Sequence, residues 1–510
     1  MSTTRPHDTG TMPGRRAAGP AFMTYPDRVL HWIGDAERPS ASGDYMPKHN
    51  PHDGTVLGQI ARGGPEDAGL AAETAAAAFE GWSQTPLVAR GEILRRATLL
   101  LMERRDEAAE IVSLETGKSR KDALGEVGAA IEMGFFISGE ARRFYGRTTS
   151  SAMANRTAMT VRQPVGPAAL IIAANTPIAN VAWKVYPALL CGNSSVLKPS
   201  EHTPYVATWF ARLLHEAGLP AGVLSVLHGL GPEAGAALVE DERIQLVSFT
   251  GSVGVGRFIQ HAAGGRLAKV CLELGGKNPF VVCDDADLEA AVDAAVLSAF
   301  SNAGQRCASG SRLVVFDSIY DEFRRLFLDR TAALRLGPGD DDDLGPVISE
   351  RQMLAILEAV ERAVREDGVT RLHGGVRVED PAHVGGYYVA PTVLENARPD
   401  ARISRDEVFG PVTCLYRVDG FEDAMRMAND TEFGLTAAIH TGSIHRAEVF
   451  RDRCRAGVIS INGPTYGSEP HMPFGGLKNS GNGFREAGTE VLDVYSDWKS
   501  VYVKHDPGRV

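Results

Sequence analysis

The sequence is poor in cysteine, in aromatic residues, in positive charge and in long apolar runs, and each shortage removes a class of protein. Six Cys in 510 residues, none spaced as CxxC, exclude a disulfide scaffold and fit a reducing compartment in which any important thiol acts singly. The 14 His form no HExxH or comparable cluster, so no metal site is expected. With 53 Lys and Arg against 64 Asp and Glu, the net charge of −11 repels polyphosphate and anionic lipid, and nucleic acid is not an expected partner. The longest apolar stretch, Val165 to Ala174, is about half of the roughly 20 residues that a membrane-spanning helix requires, so no membrane span is expected. Residues 1–20 carry Arg5, Arg15 and Arg16 among Ser, Thr, Gly and Pro without the apolar block of a secretory signal; a disordered tail and a cytoplasmic location are the expectation. The charge run Asp340 to Asp343 reads as a solvated loop.

What remains is a globular composition, 44% hydrophobic and 23% charged, with a surplus of turns from 55 Gly and 28 Pro. At about 150 residues per domain the length allows roughly three domains. Helical periodicity predicts helices over Pro65 to Trp82 and Ala89 to Gly117, the latter capped by Gly117. Residues Arg147 to Gln163 lose that period and read as an extended arm or a linker. Beyond them short apolar strands alternate with helices: strands at Ala168 to Ala173, Ser195 to Leu197, Val223 to Leu227 and Leu246 to Phe249, then Phe280 to Val282 and Ser311 to Phe316. That alternation predicts an α/β fold with two parallel-sheet units. The β-prone run Val491 to Val503 reads as a strand able to pair with another, in this subunit or a second one.

Several short segments could carry chemistry. Gly251-Ser252-Val253-Gly254-Val255-Gly256 follows an apolar strand and opens a helix; it is either an anion-binding turn with free N–H groups or a plain tight turn. Lys198-Pro199-Ser200-Glu201 sets a cation and a carboxylate at a strand end, where Glu201 could accept both hydroxyls of a ribose or, with Ser200, cap a helix. Cys307, in Gly304-Gln305-Arg306-Cys307, is a nucleophile candidate whose thiolate Arg306 would favour, although a lone Cys is most often a small buried hydrophobe. Glu273, in Glu273-Leu274-Gly275-Gly276-Lys277, is a candidate general base or the partner of Lys277. Asn175, before Thr176-Pro177, could donate to an oxyanion or simply make a turn.

Taken together, and with Glu407-Val408-Phe409-Gly410-Pro411 and Pro473-Phe474-Gly475-Gly476-Leu477-Lys478-Asn479-Ser480-Gly481, these segments resemble the aldehyde dehydrogenase superfamily in order and spacing, over about residues 25 to 505. The resemblance implies two Rossmann-like parallel-sheet domains plus a β oligomerisation arm: cofactor binding at 21–145 and 165–275, catalysis at 276–480, and oligomerisation through 146–164 with 481–510. It implies Cys307 as nucleophile, Glu273 as general base, Asn175 as oxyanion donor with the Cys307 N–H, and Lys184 as a proton relay. Cofactor contacts would be Ile172, Lys198, Glu201, Gly251, Ser252, Gly256, Leu274, Glu407 and Phe409. Two segments depart from the pattern: Ala173-Ala174 stands where many members have Pro-Trp, with Thr176 for a frequent Phe, and Asn482-Gly483-Phe484-Arg485-Glu486 is one residue longer than usual.

The chemistry so implied is oxidation of an aldehyde to its acid through a thiohemiacetal and a thioester on Cys307, followed by hydrolysis. NAD is expected over NADP, because the Glu201 carboxylate would stand where a 2′-phosphate must go. Thr176, Asn180 and Trp183 would face Tyr466, Ser468 and His471 at the substrate mouth, a polar mixture that suits a functionalised aldehyde. A homodimer or homotetramer is expected. The competing readings are a CoA-acylating relative, disfavoured by Glu273, and a non-catalytic crystallin-like protein on the same scaffold.

Overall fold

A computed structural model describes residues 24–509; the tail expected over 1–20 lies outside them. Two seven-stranded sheets form the body. In the first, five parallel strands lie in the order Lys269–Glu273, Leu246–Thr250, Ala168–Ile171, Ser195–Lys198 and Leu224–Val226. An antiparallel hairpin, His31–Ile33 with Ala36–Arg38, closes the far edge. These strands are short and almost wholly buried, as strands covered on both faces must be. The chain leaves Ala168–Ile171 toward one edge and later returns to pair on its other side, so a topological switch lies at its carboxyl end, where such sheets bind ligands.

The second sheet runs Thr370–His373, Thr392–Glu395, Val412–Val418, Gly310–Phe316, Asn278–Val282, Thr436–His440 and Val458–Ile461, with only the first strand antiparallel. Glu273 ends the outermost strand of the first sheet, and Asn278 begins a central strand of the second. The segment between them brings the carboxyl ends of one sheet to the amino ends of the other. A third, antiparallel sheet pairs Ser496–Lys504 with Arg156–Pro164 over nine positions, and Thr148–Ser150 lies beyond.

Two expectations change. The single helix from Ala89 to Gly117 is two, Leu87–Glu103 and Arg105–Thr116, because Arg104 leaves helical geometry at φ −105° and ψ 24°; Gly117 does cap the second, at φ 78°. The run from Val491 is first a helical turn, Val491–Tyr495, and becomes a strand only at Ser496, because Val491, Leu492, Val494 and Tyr495 are all drawn into the core beside helix Pro177–Cys191. The terminal strand pairs with the arm of its own chain. Among the described residues no helix is long and apolar enough to cross a membrane, and no group of His, Cys, Asp or Glu is arranged to hold a metal.

Candidate active site

A cleft of about 630 Å³ opens at the switch point of the first sheet, between the ends of its strands and the helix Val253–Gly265. Ser252 caps that helix, its Oγ accepting from Val255 N–H at 3.4 Å. A Cβ on Gly256 would lie 2.6 Å from Leu274 and one on Gly251 2.5 Å from the Phe249 ring, so both glycines are required for close packing under the cleft. Ile172 is buried in its wall. Lys198 is buried, with Nζ donating to Pro199 O at 3.0 Å. Ser200 Oγ accepts from His202 N–H at 3.2 Å, which accounts for Ser200 as a turn residue. The following helix starts at Pro204 without any side-chain cap, so Glu201 is not a helix cap and faces the cleft.

Burial pushes the Glu201 carboxyl up, but His202, Lys198 and Arg351 outweigh it and hold it below its ordinary value. Burial also drives His202 down to about 4, so above that pH the charges facing Glu201 are those of Lys198 and Arg351. Arg351 reaches this cleft from helix Glu350–Asp367, across from the second sheet. Nothing in the sequence alone marked it.

Cys307 lies where the two sheets meet. The helix Leu288–Phe300 ends in a tight turn, Ser301–Gly304, in which Asn302, Ala303 and Gly304 take left-handed φ of 55°, 52° and 68°. Two consecutive non-glycine residues in that region store strain beside the thiol. Asn302 Nδ2 holds the turn by donating to Gln305 O at 3.2 Å and to Asn175 O at 3.0 Å. Asn278 Nδ2 donates to Cys307 O at 2.7 Å and to Ser309 O at 2.9 Å. Of the six Cys, five are buried and Cys307 alone is half-exposed.

The expected preference of Arg306 for a thiolate is real but outweighed. Enclosure pushes the Cys307 thiol up to about 12, Glu407 and Glu273 push the same way, and Arg306 only partly opposes them. Glu273 is buried, and neither carboxylate oxygen has a hydrogen-bond partner among the described residues. It does not pair with Lys277. Burial, then Glu486, hold the Glu273 carboxyl well above the usual range against Lys184 and Arg485. Glu407 accepts from Gly276 N–H at 3.0 Å, and burial raises it to about 7. Phe409 beside it is left-handed at φ 55°, its carbonyl held by Gln352 Nε2 at 3.0 Å.

Asn175 is half-buried, and its backbone O accepts from Lys118 Nζ at 2.9 Å as well as from Asn302. Lys118 forms a buried ion pair with Glu126 at 2.5 Å, and Glu126 accepts from Ile178 N–H at 2.9 Å at the start of helix Pro177–Cys191. Lys184 is fully buried on that helix, donating to Ser248 Oγ at 2.9 Å and paired with Glu486. Lys118, Glu126, Asn302 and Glu486 were not read from the sequence; the nearest signal was the lengthened segment ending in Glu486.

The expected substrate residues fall into two groups. Asn180 Nδ2 reaches Asn175 Oδ1 at 3.5 Å, and Trp183 meets Phe474 edge-on at 5.7 Å. Tyr466 lies under the Arg306 guanidinium, 4.6 Å from ring centroid to the carbon. Thr176 is half-buried at the start of its helix, while Ser468 and His471 are exposed, with His471 3.5 Å from Glu469. A separate cleft of about 680 Å³, lined by Glu422, Arg426 and Arg453, is occupied by surface ion pairs such as Arg453–Glu422 at 2.7 Å and offers no comparable chemistry.

An α/β protein with a cleft at the switch point and one reachable thiol flanked by buried acids has the form of an oxidoreductase. The match to the aldehyde dehydrogenase family spans residues 38–501, and the chain belongs to that family: it is an oxidoreductase acting on aldehydes. It is 40% identical over 465 residues to the alpha-ketoglutarate semialdehyde dehydrogenase of Haloferax volcanii, covering 91% of this chain and 96% of the relative. It is 36% identical over 467 residues to the betaine aldehyde dehydrogenase of Bacillus subtilis, covering 90% and 94%. The crystal structure of Staphylococcus aureus betaine aldehyde dehydrogenase in complex with NAD+ superposes with a TM-score of 0.92 at 33% identity, covering 94% of this chain and 95% of that one.

Proposed function

We propose that the protein oxidises an aldehyde to the carboxylic acid through a covalent adduct on Cys307, using NAD+ in preference to NADP+. The observation that carries this reading is the pairing of a single reachable thiol with an unpartnered buried carboxyl, Glu273, close enough to shift it. The first cleft fits a dinucleotide: Glu201 is charged and faces it, Gly251 and Gly256 leave its floor free of side chains, and the capped helix Val253–Gly265 points its N-terminus there. Lys198 and Glu201 would hold the adenosine end, and Glu407 with Phe409 the other, with Leu274 between the two. When bound, NAD+ supplies the acceptor for the hydride released by the Cys307 adduct.

The Cys307 thiol first gives up its proton to water, and the resulting thiolate adds to the aldehyde carbon. The Asn175 amide and the Cys307 N–H donate to the oxygen that becomes negative. After oxidation a thioester links the acyl group to Cys307. Glu273 then takes a proton from water, the hydroxide attacks the carbonyl, and the acid departs as the thiolate is restored. Lys184, with Glu486 and Ser248, forms a buried hydrogen-bonded cluster that acts on Glu273 through its charges and would tune the proton it collects. Lys118 and Glu126 position the Asn175 segment.

A full carboxyl at 273 favours hydrolysis over transfer to a thiol such as CoA. The three-stranded sheet that ends the chain carries exposed Trp498, Tyr502 and Val503 and fits self-association into a homodimer or homotetramer. The test is the absorbance of NADH on mixing protein, NAD+ and a panel of aldehydes without CoA. Turnover yielding acid supports the reading; oxidation that requires CoA, or none at all, overturns it.

A further inference from the structure

Arg306 immediately precedes Cys307, and consecutive Cα atoms lie about 3.8 Å apart, so its side chain leaves the backbone next to the reacting sulfur. Two contacts fix its guanidinium: Nε donates to Ser301 Oγ at 3.0 Å, and the group lies over Tyr466 at 4.6 Å. The loop over residues 462–476 is pinned beside the Cys307 segment at its Tyr466 end, with Thr465 Oγ1 donating to Ala308 O at 2.6 Å and Thr465 N–H to Ser298 Oγ at 3.1 Å. Its other end reaches Trp183 through Phe474. The loop therefore runs from the Cys307 segment, beside Arg306, to Trp183.

Among the described residues no carboxylate lies within ion-pair distance of Arg306, although Arg62, Arg104 and Arg453 each hold one and Arg417 holds two. Glu469, the acid on the same loop, is exposed and lies beside His471 instead. The acids nearest the thiol, Glu273 and Glu407, are both raised by burial, Glu407 to about 7, and neither pairs with Arg306. A half-buried guanidinium, oriented by an aromatic face and one hydroxyl, keeps its outer N–H donors for a planar anion.

We propose that Arg306 sets substrate specificity, selecting aldehydes whose far end is a carboxylate and disfavouring those that end in a cation. The proposal rests on the reading of Cys307 as the nucleophile of aldehyde oxidation. The carboxylate tail is held and does not react; bidentate pairing with Arg306 fixes the distance of the aldehyde carbon from the sulfur.

The experiment compares kcat/KM for three aldehydes with saturating NAD+: 5-oxopentanoate, the neutral pentanal, and cationic betaine aldehyde. In the wild type the acid is expected to exceed pentanal by about tenfold or more, with betaine aldehyde lowest, since a desolvated charge pair discriminates at that level. Arg306→Met lowers activity on all three through its effect on the thiol, but the acid-to-neutral ratio falls about tenfold, mainly through KM. Arg306→Lys keeps part of that ratio, and Arg306→Glu inverts the order of acid and cation. Independently of any variant, glutarate inhibits wild-type oxidation of pentanal more strongly than pentanamide does, and less so as salt is raised. A wild-type acid-to-neutral ratio of one or below, equal losses on acid and neutral aldehydes in Arg306→Met, or equal inhibition by glutarate and pentanamide overturns the proposal while leaving aldehyde oxidation intact. Failure of the wild type to oxidise any aldehyde overturns both.

Discussion

Glu201 and Glu273 are the same residue type at the carboxyl ends of two strands of one sheet, and their surroundings drive them in opposite directions. Around Glu201 the chain places His202 and Lys198 beside it and Arg351 across the cleft, which together overcome burial and hold the carboxyl below its ordinary value. Around Glu273 it places no hydrogen-bond donor among the described residues and a second acid, Glu486, whose own partner Lys184 is already engaged. A charged carboxylate with fixed neighbours is suited to hold a ligand; an unpartnered one with a raised pKa is suited to move a proton. Proximity to a strand end makes either residue available, and the packed neighbours decide which work it does.

The comparison breaks most severely at the thiol that Glu273 serves. Cys307→Ser is expected to lower aldehyde oxidation by at least about 10⁴-fold, with NAD+ affinity at the Glu201 end unchanged within about threefold, since a hydroxyl keeps the shape but lacks the nucleophilicity. Turnover within a few-fold of wild type would remove Cys307 from the reaction.

Glu273→Gln should slow steady-state turnover by about 10²- to 10³-fold while leaving a burst of near one equivalent of NADH, because only deacylation needs the base. Equal loss of burst and steady state would give Glu273 an earlier role. The same variant has a stability signature. The folded-state pKa of Glu273 lies above its unfolded value, so the wild type loses stability as pH rises from the unfolded value through the folded one. Thermal midpoints of variant and wild type should therefore agree near pH 4 and separate by pH 8, with the variant higher.

The thiol itself reports on the acidic surroundings. With its pKa pushed up to about 12, Cys307 in the NAD-free protein should be alkylated by iodoacetamide about tenfold faster per pH unit between pH 6 and 9. A plateau below pH 8 would show that the acids beside it do not control it. The smallest effect is expected at the adenosine end: Glu201→Gln should shift the NAD-to-NADP ratio of kcat/KM about three- to tenfold toward NADP, because Lys198 and Arg351 already offset part of the repulsion. An unmoved ratio would show that another group discriminates the cofactors.

The order of strands and helices was legible from apolar periodicity, because a parallel sheet covered on both faces leaves little freedom in what its strands can be made of. Where it misled, at Arg104 and over Val491–Tyr495, the local pattern was sound and packing chose a break in one place and a buried helical turn in the other. Cys307, Glu273, Asn175 and Glu201 were legible because each sits in a short segment with glycine, proline or a strand end beside it. Lys118, Glu126, Asn302, Glu486 and Arg351 were not, since each acts through a partner distant in sequence: Lys184 meets Glu486, and Asn302 meets Asn175, only once the sheets have assembled. The sequence by itself determined which groups are present and which strand ends carry them. Only the tertiary structure decided their protonation, because desolvation and the charge across a cleft belong to the packed arrangement and to no single segment of the chain.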